Sequence, residues 1–120
     1  MEYKFINTEY LDSVSGGDPE IICEIVNLFK EQSVEISGEM KSLFAAKNYL
    51  ALGLLAHKAK SSVSIMGMND LATMLKTFEL LAREEKEPQL YESYILRFQN
   101  DTLSAFAELD DLVNNYLKRN

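Results

Sequence analysis

Apolar residues in this chain recur at alternating spacings of three and four. After Pro19 they fall at Ile22, Ile25 or Val26, Phe29, Ile36, Met40 and Leu43, with Ser33 filling one slot. That period draws one stripe along a helix and predicts helix over about 18–46. Its start is marked by "SGGDPE": Asp18 can cap, Pro19 suits the first helical position, and Glu20 favours the positive end of the dipole. "KNY" around Asn48 reads as a break, and a second helix is expected from Tyr49 to Met66, with Leu52, Leu55, Ala59, Val63 and Met66 inward. "GMND" ends it, with Gly67 as the stop and Asn69 as the cap of a third helix from Asp70 to Lys86. That helix turns Leu71, Leu75, Phe78 and Leu81 inward. Pro88 cannot continue it but can begin another. The last helix, Pro88 to Lys118, carries Tyr91, Ile95, Phe98, Thr102, Phe106, Leu109, Val113 and Tyr116 on its stripe. A short segment from Asn7 to Ser13, led by the cap pair Asn7 and Thr8, precedes them all.

Four amphipathic helices with short connections read as an all-α fold, an antiparallel up-down four-helix bundle with a short N-terminal capping helix. The 120 residues are expected to form a single domain over 1–120. Two prolines and five glycines leave little material for the turns of a β-rich fold. A net charge of −7, with no basic run longer than two residues, argues against a nucleic-acid partner. No apolar run is long enough to span a membrane, so no membrane insertion is expected, and "MEYKFINTEY" lacks the layout of a signal peptide. The single cysteine, Cys23, sits in the apolar run "EIICEIV" and reads as a buried small hydrophobe in a reducing cytoplasm. The expected location is therefore cytoplasmic. A closed bundle needs no second copy, so a monomer is expected, and Met1 favours a free-standing protein over a piece of a hybrid kinase.

The chemistry concentrates in "AHKAKSSVSIMG", Ala56 to Gly67, which holds the only histidine. On a helical wheel of about 100° per residue, His57 lies about 160° from Ala59, on the outer face. Gly53, Ser61 and Ser64 neighbour it there, with Lys60 to one side and Leu54 to the other. A lone surface histidine is ordinarily a solvated residue without consequence. Exposed helix positions, however, are normally filled by Glu, Lys, Gln or Arg. A patch of small, poor helix formers around an imidazole reads as space cleared for a partner. A metal site would need more ligands, and a hydrolytic triad would need a pocket that a convex helix face does not offer. Nucleophilic catalysis by the imidazole needs only access and an electrophile, and a neutral imidazole is a competent nucleophile at neutral pH. A nearby ammonium would stabilise a phosphoryl group placed on it. A ligand- or metal-binding bundle would need inward polar residues that this sequence lacks.

The stretch resembles the phosphorylation motif of histidine-containing phosphotransfer (HPt) domains, the relay modules of multistep two-component signalling. The family's histidine, the lysine three on, the small residue at four, the serine at five and the glycine at ten correspond to His57, Lys60, Ser61, Ser62 and Gly67. The apolar residue at fourteen and the Gln or Glu at twenty-two correspond to Leu71 and Glu79, within "LATMLKTFELLAR". "SGGDPEIICEIVNLF" also looks like the family's lead-in to its first long helix, so the resemblance covers the whole chain. Departures are Ser61, where glycine is commonest, and Met66 and Met68 flanking Gly67.

The resemblance implies that His57 accepts a phosphoryl group from a receiver-domain aspartate and passes it to another. Lys60 would neutralise the phosphoryl oxygens, Ser61 would leave room for the receiver, Glu79 would hydrogen-bond the other ring nitrogen, and Gly67 would shape the turn. Gly53, Leu54, Lys58, Ser61 and Ser64 would form the docking surface, with Lys58 and Lys60 offsetting the repulsion between this acidic chain and a receiver's acidic active site. The bland readings are a solvated helix face for Lys58 and Lys60 and a rim charge for Glu79. The partners implied are response-regulator receiver domains, a hybrid sensor histidine kinase, or both. The family has no kinase or ATP site of its own, and its magnesium belongs to the receiver, so no cofactor is expected here. The rival reading is an HPt-like adaptor that binds receivers or other helices without being phosphorylated.

Overall fold

The structure, a computed structural model, describes residues 3–119, with side chains through residue 115. Every regular element among the described residues is helical: α1 (Glu9–Ser15), α2 (Pro19–Ala45), α3 (Tyr49–Ile65), α4 (Asn69–Arg83), a 3-10 turn (Pro88–Leu90) and α5 (Tyr91–Arg119). The helices pack into a body 49 × 21 × 20 Å, with α3 against α4, α2 against α5, α2 against α3 and α4 against α5. No helix among the described residues is long and apolar enough to cross a membrane.

The apolar stripes meet in one core. In α2 the slot left open by spacing goes to Val26, which is buried, while Ile25 is half-buried. All five expected inward residues of the second helix, Leu52, Leu55, Ala59, Val63 and Met66, are buried. Phe78 meets the Tyr91 and Tyr94 rings at centroid distances of 5.4 and 5.2 Å, and Tyr49 meets Tyr91 edge-on at 5.1 Å. Those four rings bind α3, α4 and α5 together at one end, as offset and edge contacts favour. Tyr116, inward by its spacing, lies outside the described side chains. Between α2 and α5, Ser33, Ser37, Thr102 and Phe106 line a crevice of about 200 Å³. Thr102 donates to the Phe98 carbonyl at 2.8 Å, whereas the buried hydroxyls of Ser33 and Ser37 have no partner among the described residues.

Several helix ends differ from the sequence expectation, each for a local reason. Asp18 caps α2 by accepting from Glu20 N at 2.9 Å, as its position suggests. Asn69 is the first residue of α4, not its cap; Met68 holds the cap position without a side-chain bond. α4 stops at Arg83, before Lys86, because Glu85 takes a left-handed φ of 54°. Pro88 opens a 3-10 turn, and the α-helix proper begins at Tyr91. At α1 it is Asn7, not Thr8, whose side chain takes an orphan N–H, that of Glu9 at 3.0 Å.

The N-terminal segment is clamped across the α3–α4 turn. Glu108 on α5 accepts from the backbone N–H groups of Lys4, Phe5 and Ile6 at 2.9, 2.9 and 3.1 Å. Asn7 N–H donates to the Met66 carbonyl at 2.9 Å. Gly67 turns there with φ 70°, and a Cβ on it would sit 2.4 Å from Asn7 Cβ and 2.6 Å from Asn7 O. At the other end, Tyr91 Oη lies 2.9 Å from the Leu81 carbonyl and 2.5 Å from that of Lys86, so its proton staples the turn after α4.

Two outcomes follow from these ends. Gly67→Ala combines a left-handed backbone with a clash against the clamped segment and should lower stability by roughly 2 kcal/mol, measured by urea unfolding. An unchanged midpoint would show that the segment is not held. Burial, with the Tyr49 phenol and the Glu85 and Glu87 carboxylates nearby, pushes the Tyr91 phenol above its ordinary 10.0. The folded state thus keeps a proton that the unfolded chain loses. The stabilisation is complete below about pH 10 and is lost as pH rises toward the folded value. Unfolding free energy measured from pH 8 to 11 should fall with pH in the wild type and fall less steeply in Tyr91→Phe.

Candidate functional site

The site is assembled by two helices that run side by side. α3 presents two faces. Leu52, Leu55, Ala59 and Val63 face the core, and Gly53 and Ala56 are buried beside them. These small residues let α4 approach closely, and α3 with α4 is the most extensive helix pair of the molecule. The outer edge of that seam carries His57.

The His57 side chain is 54% exposed. Its Nδ1 lies 3.1 Å from Glu79 Oε1, and the other carboxylate oxygen, Oε2, lies 3.0 Å from Arg83 Nη2. The Glu79 side chain is only 9% exposed, so it is no rim charge. A buried carboxylate is costly unless its oxygens are paired, and here each has a donor. An ionised carboxylate only accepts, so Nδ1 carries the ring proton and donates it to Glu79. The lone pair then resides on Nε2. The result is a solvent-accessible ring in a defined tautomer, with a charge-assisted chain of Arg83, Glu79 and His57 behind it.

The remaining residues divide between surface and seam. Leu54 (55% exposed), Lys58, Ser61 and Ser64 are exposed beside His57. Both serine hydroxyls fold back onto their own helix, Ser61 Oγ toward the His57 carbonyl at 3.5 Å and Ser64 Oγ to that of Lys60 at 2.8 Å. They add little height around the ring. Lys60, half-buried one turn after His57, forms no ion pair among the described residues. Gly67 lies in the α3–α4 turn. Gly53 departs from expectation. Its wheel position suggested the outer docking face, but it is buried against α4. A Cβ there would meet Arg83 Cγ at 3.0 Å, Arg83 N at 3.1 Å and Glu79 O at 3.1 Å. A wheel shows how far a residue turns from the core axis. It does not show that a neighbouring helix covers that side as well. A glycine inside a helix costs about 1 kcal/mol relative to alanine, and the close passage of α4 explains why it is tolerated.

Arg83 was not identified from the sequence. Its signal was present: Glu79 and Arg83 stand four apart in "ELLAR", a favourable helical pairing. That spacing recurs on many solvated helices, and only the packing shows that this pair lies under the histidine.

A family model described as the Hpt domain matches residues 24–116, a span that contains His57, Lys60, Glu79 and Arg83. No curated protein and no solved structure matches the chain. An all-helical body with one exposed histidine, backed by a buried carboxylate on the adjacent helix, accords with that match over most of the chain. The chain belongs to the Hpt domain family, the phosphotransfer carriers of two-component systems, which interact with receiver domains and kinases.

Proposed function

We propose that this protein is a phosphorelay carrier that takes a phosphoryl group from one receiver-domain aspartate and delivers it to another. The observation that supports it most is the exposed ring of His57, with Nδ1 occupied by Glu79 and Nε2 left as the nucleophile. In the forward step the Nε2 lone pair attacks phosphorus. The bond from phosphorus to the aspartyl oxygen breaks, and the carboxylate leaves with the electron pair. The ring becomes cationic, and Glu79 stabilises that charge through the Nδ1 proton. Delivery is the same step reversed onto a second aspartate, which restores the neutral ring. Lys60 neutralises the phosphoryl oxygens during both transfers. The receiver supplies the magnesium ion, and this protein needs none of its own.

The scaffold for this work is an antiparallel four-helix bundle of α2 to α5, closed at one end by α1 and the N-terminal segment. The convex site has no walls to exclude water, so the receiver's acidic cleft completes it. Net charge −7 sets the two proteins against each other at long range. Lys58 and Lys60 reverse that field locally, and Leu54 adds an apolar contact. A relay requires quick release, which suits an interface at the small end of the usual range. The protein acts as a monomer in the cytoplasm.

Incubation with a phosphorylated receiver should transfer label that is acid-labile and stable in base, and His57→Gln should abolish it with helicity intact. Label that persists in that variant would remove His57 as acceptor. Absence of label with every receiver of the source organism would leave the adaptor reading in its place. Ser61→Arg should crowd the ring and lower the transfer rate at least tenfold while circular dichroism and melting stay unchanged. An undiminished rate would show that the small residues have no part in access.

A further inference from the structure

The glycine that left the docking surface and the arginine missed from the sequence meet at one point. The three atoms that crowd Gly53 belong to Arg83 and Glu79 alone, and two of them are backbone. Those are the same two residues whose side chains pair beneath His57. Any side chain at position 53 would push on the stretch of α4 that carries the carboxylate. The ring and the carboxylate are joined by a single bond of 3.1 Å, and a few tenths of an ångström of separation weakens it.

The carboxylate has a second freedom. The terminal torsion of a glutamate is broad, so one bond to a ring nitrogen does not orient it. Arg83 Nη2 holds the opposite oxygen at 3.0 Å, from the same helix four residues on. With both oxygens engaged the carboxylate plane is set. This matters because a free histidine side chain prefers its neutral proton on Nε2, which would block the nucleophilic nitrogen. The ring must be held in its less favoured tautomer, and the hydrogen bond to Nδ1 decides that.

We propose that Gly53 and Arg83 are positioning residues for His57. Gly53 sets the separation of α3 and α4 at which Glu79 reaches the ring, and Arg83 fixes the carboxylate so that Nδ1 keeps the proton. The consequence for transfer rests on the carrier reading above; the effect on the tautomer does not. Arg83 acts through Glu79, and among the described residues its guanidinium pairs with that carboxylate.

The single histidine makes the test direct, since ring ¹⁵N signals of the labelled protein belong to His57 alone. Arg83→Met keeps the stem that crosses Gly53 and removes the donors, and Arg83→Lys returns one. Gly53→Ala leaves both polar residues intact. Glu79→Ala supplies the spectrum of an unheld ring. The wild type should show the Nδ1–H tautomer. Arg83→Met and Gly53→Ala should move toward the unheld spectrum, and Arg83→Lys should recover part of the wild-type signal. With a phosphorylated receiver, Arg83→Met should lower kcat about tenfold and leave KM within twofold. An unchanged tautomer in Arg83→Met overturns the proposal, even if the wild type is labelled normally, and an unchanged tautomer in a folded Gly53→Ala overturns the glycine's part in it. A shifted tautomer in a protein that no receiver labels upholds the positioning and defeats the carrier reading. Arg83 is 43% exposed, so Arg83→Met decides the matter even if Gly53→Ala does not fold.

Discussion

The close passage of α3 and α4 at Gly53 is the constraint on which the site depends. Without a side chain there, the backbone of α4 passes within 3.1 Å of the place a Cβ on Gly53 would take. Glu79 is carried under the edge of the seam and buried, and His57 remains at its rim. A carboxylate placed farther out would be solvated and would hold the ring weakly, because water competes for both partners. One placed deeper would take the ring into the core and away from any partner. A histidine both held and exposed requires the intermediate depth.

The ends of the two helices are fixed independently of the site. At one end, the Glu108 carboxylate gathers three consecutive backbone N–H groups, and Asn7 bonds across the turn that contains Gly67. At the other, the Tyr91 hydroxyl closes the turn after α4 onto two carbonyls. With both turns tied, the relative position of α3 and α4 depends little on the flexible surface. A site built on rigid helices keeps its geometry more closely than one built on loops. In the carrier role proposed above, that rigidity leaves adaptation to the visiting surface.

Much of this was legible beforehand, and the misses have physical causes. The core stripes of α2 to α5 followed from spacing because burial of an apolar face is a property of one helix at a time. His57 was rightly placed outside by the same arithmetic. Gly53 was wrongly placed outside by it, because a helix in a bundle is covered on more than one side. Asn69 suits a cap by residue type, but the backbone leaves Gly67 so that Met68 occupies that position. The extent of α4 was overrun by three residues because no proline or glycine marks the left-handed Glu85. The clamp by Glu108 was invisible, since its partners lie 102 to 104 residues away in the chain.

The sequence by itself determined the helices, their inward faces, the exposure of the single imidazole and the family. Those properties arise from local periodicity and from residue types at short fixed spacings. The resemblance pointed to Glu79; only the tertiary structure showed that it stands buried behind the ring and that Arg83 holds its second oxygen. Glu79 is 22 residues from His57, and Arg83 is joined to it only through Glu79. Their meeting depends on how closely two helices pack, and that distance is set by a missing side chain whose effect appears only when the helices are brought together.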